Sequence, residues 1–130
     1  MPKLLIAPHP GTLFQDVVLK PLSMSTAEAA RQLNVPRETL RDFIHGKTSL
    51  DAVLAHKIGA FSGIGPSAWM FAQARFSLQE SYDSPEVVAE VTRLRESWGG
   101  RMVNLKSRVL ESLFPSGAPK VFNYFYRRSI

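Results

Sequence analysis

At 130 residues, 45% hydrophobic and 21% charged, the chain is sized for one domain, or one small domain with an appendage, and it can bury a core. It has no cysteine, which excludes disulfides, zinc fingers and thiol catalysis, and no run reaches the roughly 18 apolar residues of a membrane span. The net charge of +5 favours polyanionic partners but sits mostly in the tail: residues 1–84 hold eight Lys/Arg against seven Asp/Glu, residues 85–130 eight against four.

The apolar start, Met1 to Ala7, is too short for a secretory signal and meets Pro8-His-Pro-Gly11 at once, so a soluble cytoplasmic protein is expected. Residues 12–22 read as a first helix with Leu13, Phe14, Val17, Val18 and Leu22 on its inner face. Ser25 then suits an N-cap, and residues 26–33 form a short helix with small inner residues. Asn34-Val35 makes a turn, because Asn tolerates a left-handed backbone, and Pro36 suits the first position of a third helix. That helix runs to about His45 with Leu40, Phe43 and Ile44 inward, and Gly46 stops it.

Asp51 caps a fourth helix carrying Leu54, Ala55, Ile58 and Phe61, and a fifth runs from Pro66 to about Leu78 with Trp69, Met70, Gln73 and Phe76. Ser81 to Pro85 reads as a boundary. It separates a helix-turn-helix domain, 1–84, from a C-terminal helical extension, 85–130. In the extension, residues 86–98 carry Val87, Val91, Leu94 and Trp98 at helical spacing, and residues 101–114 carry Met102, Leu105, Val109 and Leu113. The last eleven residues are aromatic and basic.

Two short helices joined by a tight turn read DNA when the first supports the second at a close crossing. Ala30 is small where they cross, and Leu40 and Phe43 anchor the second helix from below. Its outward residues are Arg37, Glu38, Thr39, Arg41 and Asp42. Arg can bond bidentately to guanine, Glu accepts from cytosine N4, and Thr bonds or touches a thymine methyl, so Arg37, Glu38, Thr39 and Arg41 are the expected base readers. Ser25 and Thr26 before them, and Lys47 and Thr48 after them, are the expected phosphate contacts. The competing reading of this helix face is a solvated set of self-paired charges.

Several spaced motifs resemble the HigA antitoxin family of the Cro/repressor-like (XRE) helix-turn-helix proteins. They are His9-Pro-Gly11, Ala29-Ala30, Asn34-Val-Pro-Arg37, Ile44-His-Gly-Lys47, Ala55-His-Lys-Ile58, Gly63, Pro66-Ser-Ala-Trp69 and Ala72-Gln-Ala-Arg-Phe76. The resemblance runs from about residue 8 to 80 and leaves the tail uncovered. It implies an all-α, five-helix domain that dimerises, binds palindromic operator DNA at its own promoter, and neutralises a HigB-type toxin that cleaves mRNA on the ribosome. By the same resemblance the dimer contact involves the fifth helix, around Trp69, Gln73 and Phe76. Asn34 stands where the family usually has Gly, which the turn tolerates; Thr26 stands where it has Gln, Thr48-Ser49 where it has a basic pair and Val53 where it has an acid, so phosphate affinity is expected to be weaker.

Other signals are weaker. His9, His45 and His56 lack a second ligand at metal spacing, so no metal or cofactor is expected. Gly63-x-Gly65-x-x-Ala68 follows no strand, and no nucleophile elbow or spaced triad marks an enzyme. Glu86, Glu90, Glu96 and Glu111 are interspersed with the tail's basic residues, against a membrane-binding surface. The tail helices are too short to stand alone, so they are expected to meet each other, the first domain, a second subunit or a toxin. The expectation is a sequence-specific DNA-binding repressor and antitoxin. The alternatives are a stand-alone phage-type regulator, or a toxin-capturing protein with weak DNA binding.

Overall fold

The structure, a computed structural model, describes residues 6–82, 84–98 and 103–117, and every regular element among them is helical. The chain divides into two units, Met1–Ser84 and Pro85–Ile130.

The first unit holds five helical segments. Helix α1, Pro10–Leu13, begins where His9 caps it with its ring and Pro10 supplies a first residue that needs no amide partner. It continues as a π-helical stretch, Phe14–Leu19, closed by the Lys20 amide donating to the Gln15 carbonyl at 2.9 Å. The segment thus starts earlier and ends earlier than the expected 12–22. Its wider turn also changes the inner face. Phe14, Val18 and Leu19 are buried, while Val17 and Leu22, expected inside, are each 58% exposed.

Helices α2, Thr26–Leu33, and α3, Arg37–Ile44, form the tight pair. Helix α4, Ala52–Ser62, is capped by Asp51, whose carboxylate accepts from the Leu54 amide at 2.7 Å, and it ends at Gly63 with φ +75°. Helix α5, Pro66–Tyr82, runs one turn past the expected Leu78. Nothing in Gln79-Glu-Ser-Tyr82 forbids a helix, and Ser81 bonds back to the Ser77 carbonyl at 3.2 Å instead of breaking the turn.

The core collects the inward residues of all five segments, with Phe14, Leu40, Phe43 and Ile58 fully enclosed. Helix α1 packs on α3 and α5, α2 on α3 and α4, and α4 on α5. The contact of α1 with α3 is close enough to require Gly11. A Cβ there would lie 1.9 Å from the Phe43 carbonyl oxygen and 2.9 Å from the Ile44 Cα.

The second unit contains α6, Pro85–Trp98, and α7, Val103–Leu113. No residue of α6 is buried. Gly99-Gly100, Met102 and the aromatic, basic end at 120–130 lie outside the described residues.

Candidate nucleic-acid interface

The turn between α2 and α3 is built from three backbone devices. The Ser25 hydroxyl accepts from the Glu28 amide at 3.1 Å and opens α2. Asn34 takes the left-handed conformation, φ +53° and ψ +51°, and its amide donates to the Ala30 and Arg31 carbonyls, ending α2. Pro36, extended at ψ 138°, is the N-cap of α3 and not its first residue, so Arg37 opens the helix. Ala29 and Ala30 are buried, which leaves room for the crossing. Lys57 reaches across from α4 and donates to the Asn34 carbonyl at 2.9 Å, bracing the turn from the third side.

On α3 the buried residues Leu40, Phe43 and Ile44 leave the opposite face to solvent. Arg37, Glu38, Thr39 and Arg41 are exposed there and Asp42 is half-buried, so the structure brings the four expected readers onto one outward surface. Arg41 and Glu38 approach at 3.4 Å, an exposed pair of long contact. Such pairs contribute about 0–1 kcal/mol and yield readily to a better ligand. Ser25 is exposed and Thr26 half-buried at the start of α2; Lys47, Thr48 and Ser49 are exposed after α3. The predicted phosphate contacts thus lie at the start of α2 and directly after α3, at exposed or half-buried positions.

Two struts hold the segment after α3, and sequence reasoning missed both. The His9 ring is buried between Phe43 and Phe76, with ring centroids at 5.6 and 4.9 Å. Its Nδ1 accepts from the Gly11 amide at 2.9 Å, and its Nε2 donates to the Thr48 carbonyl at 3.0 Å. One partner only donates and the other only accepts, so the ring is neutral with its proton on Nε2. Burial holds its pKa below the ordinary 6.5, opposed by the Thr48 bond and the Glu80 charge. The second strut is Gln73, also buried. Its Oε1 accepts from the Leu50 amide at 2.8 Å, and its Nε2 donates to the Ser77 hydroxyl at 3.0 Å. The chain from Lys47 to Ser49 is therefore tied next to α3 by one strut and immediately after by the other. The available signal was His9-Pro10-Gly11 itself: a polar ring directly before a helix-opening proline can cap.

The residues expected at a dimer contact on α5 have partners within the first unit. Trp69 is buried, donating to the Ser62 hydroxyl at 3.1 Å and meeting Phe14 edge-on at 6.0 Å. Gln73 is the strut just described, and Phe76 packs against His9. Trp69 and Gln73 are buried and Phe76 is half-buried, on the face of α5 turned toward α4 and the N-terminal segment. The outward face of α5 carries Met70, Ala74, Leu78 and Tyr82.

No protein-family model matches the chain. It is 33% identical over 79 residues to virulence-associated protein A of Dichelobacter nodosus, covering 60% of this chain and 78% of that protein. It is 32% identical over 88 residues to the uncharacterized HTH-type transcriptional regulator YddM of Escherichia coli K12, covering 68% of this chain and 88% of the relative. Among solved structures it resembles the Pseudomonas aeruginosa antitoxin HigA with the higBA promoter, with a TM-score of 0.61 and 27% identity over 65% of this chain and 91% of that one. With the α2–turn–α3 geometry, these likenesses place the molecule: the chain belongs to the HigA-type family of helix-turn-helix DNA-binding antitoxins and transcription regulators.

Proposed function

We propose that this chain is a dimeric, operator-binding transcriptional repressor of the bacterial cytoplasm, and the antitoxin of a pair whose toxin cleaves mRNA. The observation that carries the DNA-binding part is the outward face of α3. Four side chains able to read base edges stand on a helix whose other face is locked into the core. In this reading α3 enters the major groove, with Arg37, Glu38, Thr39 and Arg41 meeting bases. Ser25 and Thr26 at the start of α2, and Lys47 and Thr48 after α3, meet phosphates.

Arg41 exchanges its exposed contact with Glu38 for guanine on binding. The His9 and Gln73 struts keep the Lys47–Ser49 segment at a fixed place beside α3, so the phosphate contacts set the depth at which the helix sits. The relatives support the reading, since a P. aeruginosa antitoxin of this fold was solved with its promoter. Two copies bind as a homodimer through the outward face of α5, centred on Met70, Ala74 and Leu78. The toxin-neutralising role is proposed by analogy with the antitoxins of this fold.

Footprinting the purified chain on the DNA upstream of its own gene tests the repressor. Protection of a two-fold symmetric site is expected, and protection without sequence preference defeats the reading. Co-expression with the product of a neighbouring small basic gene tests the antitoxin: growth arrest by that product alone must be relieved by this chain.

A further inference from the structure

Lys57 stands on α4, outside the helix pair of the motif, and its ammonium donates to the Asn34 carbonyl, 23 residues back in the chain, at 2.9 Å. That carbonyl belongs to the left-handed residue that ends α2 and turns the chain toward α3. The Asn34 and Val35 amides bond back to carbonyls of α2, Pro36 has no amide hydrogen, and the backbone bonding of α3 opens with Leu40 donating to Pro36. Among the described residues, no backbone amide donates to the Asn34 carbonyl. The peptide between the two helices is therefore held from outside, by a cation at the negative end of the α2 dipole.

The bond matters more for position than for stability. Leu40, Phe43 and Ile44 lock the later turns of α3 into the core, whereas its first turn, Arg37 to Thr39, is exposed. The three residues Asn34 to Pro36 set where that first turn begins. Asn34 is itself exposed, so water can replace the ammonium on its carbonyl at little cost to folding. Water does not tie the peptide to α4.

We infer that Lys57 is a positioning residue for DNA recognition: its bond to the Asn34 carbonyl holds the turn, and through it the first turn of α3, where Arg37 and Glu38 meet bases. This deepens the proposed function and rests on α3 being the helix that enters the groove.

Two substitutions in the full-length chain test it. Lys57→Met keeps an unbranched apolar stem and removes the donor, and Lys57→Arg keeps a donor. On the duplex upstream of its own gene, Lys57→Met should bind about tenfold more weakly than the parent, with Tm within about 3 °C of it. Affinity for random-sequence DNA and the salt slope should stay as in the parent, and Lys57→Arg should recover most of the specific affinity. A salt slope reduced by about one, with all sequences weakened alike, would make Lys57 a phosphate contact and overturn the inference. So would an unchanged specific affinity, a failure of Lys57→Arg to rescue, or a larger fall in Tm with specific and random binding lost together. Each of these leaves the proposed function standing. A parent chain that shows no preference for the upstream duplex overturns both.

Discussion

His9 and Thr48 are 39 residues apart and are joined by one hydrogen bond, Nε2 to carbonyl oxygen, at 3.0 Å. The same ring caps α1 through Gly11. One side chain therefore fixes both the N-terminal segment and the first polar residues after the recognition helix. Thr48 needs only its backbone for this contact, so its hydroxyl remains available to a phosphate. On the proposed DNA-binding reading, a Thr then serves at a position where the family more often has a basic residue by being held in place by the strut.

The strut is sensitive to pH in a definite direction. The folded His9 pKa lies below 6.5 because the ring is buried, so near pH 6.5 the unfolded chain binds more protons at this residue than the folded chain. Its contribution is full above the unfolded pKa and is lost as pH falls through 6.5 toward the folded value. A second N–H on Nδ1 would also face the Gly11 amide. We expect Tm to fall between pH 7.5 and 5.5, and the fall to be smaller in His9→Asn. Asn can still cap α1 but cannot reach Thr48, so this variant should lose about 1–3 kcal/mol at pH 7.5. Equal pH slopes in the two proteins would exclude His9 as the source.

Gln73 gives a prediction of opposite chemical logic. Gln73→Leu keeps most of the volume but leaves the Leu50 amide without its acceptor in a buried place, at a cost of about 1–3 kcal/mol. Gln73→Glu retains an acceptor oxygen and should cost less at pH 7 than the apolar change. Chemical denaturation of both variants decides this, and Leu proving the milder substitution would contradict the assigned role.

Gly11 is tested by a single methyl. Gly11→Ala would put its Cβ 1.9 Å from the Phe43 carbonyl oxygen, and that neighbour is helix backbone with no rotamer to change. Helix α1 must move away from α3, and overpacking of this kind costs about 1–3 kcal/mol. A Tm equal to that of the parent would mean that the two helices are not in close contact.

Local chemistry made much of this fold legible. Ser25, Asn34 and Asp51 carry their capping roles in their own side chains, and Leu40, Phe43 and Ile44 follow helical spacing. The misread elements are those decided by distant partners. Val17 turns outward because a π turn shifts the face, and Leu22 because the helix ends at Leu19, and no residue in Phe14–Leu19 advertises that turn. The interior partners of Trp69 and Gln73 could not be read because the segments they serve, Phe14, Ser62 and Leu50, are remote in sequence. The outward residues of α3 could be assigned from the sequence because exposure on a short helix follows from which residues are apolar. The struts could not, since His9 and Gln73 gain their meaning only from the far end of each bond.

Base readers and phosphate contacts should separate by experiment. Arg37→Ala is expected to cost about 1–3 kcal/mol on the specific site and to relax the preference for one base pair. Lys47→Ala should weaken binding to all sequences about equally and reduce the salt slope by about one. Competition binding against a panel of single-base variants at two salt concentrations distinguishes them. A uniform loss from Arg37→Ala, with base preference unchanged, would remove it from the reading surface.

One recognition helix reaches only a few base pairs, so selective repression needs two, held at a separation the DNA can match. Half-sites are expected about one helical turn apart, roughly 34 Å. Leu78 tests the α5 contact because it is 67% exposed, and Leu78→Glu should leave the fold and Tm nearly unchanged. On the dimeric reading it places two like charges near a two-fold axis. Dimerisation should then weaken, with operator affinity falling in parallel and non-specific binding affected less. Sedimentation of the free protein and titration onto a two-half-site duplex measure the two effects. Unchanged dimer mass with unchanged operator affinity in Leu78→Glu would move the dimer contact off this face of α5.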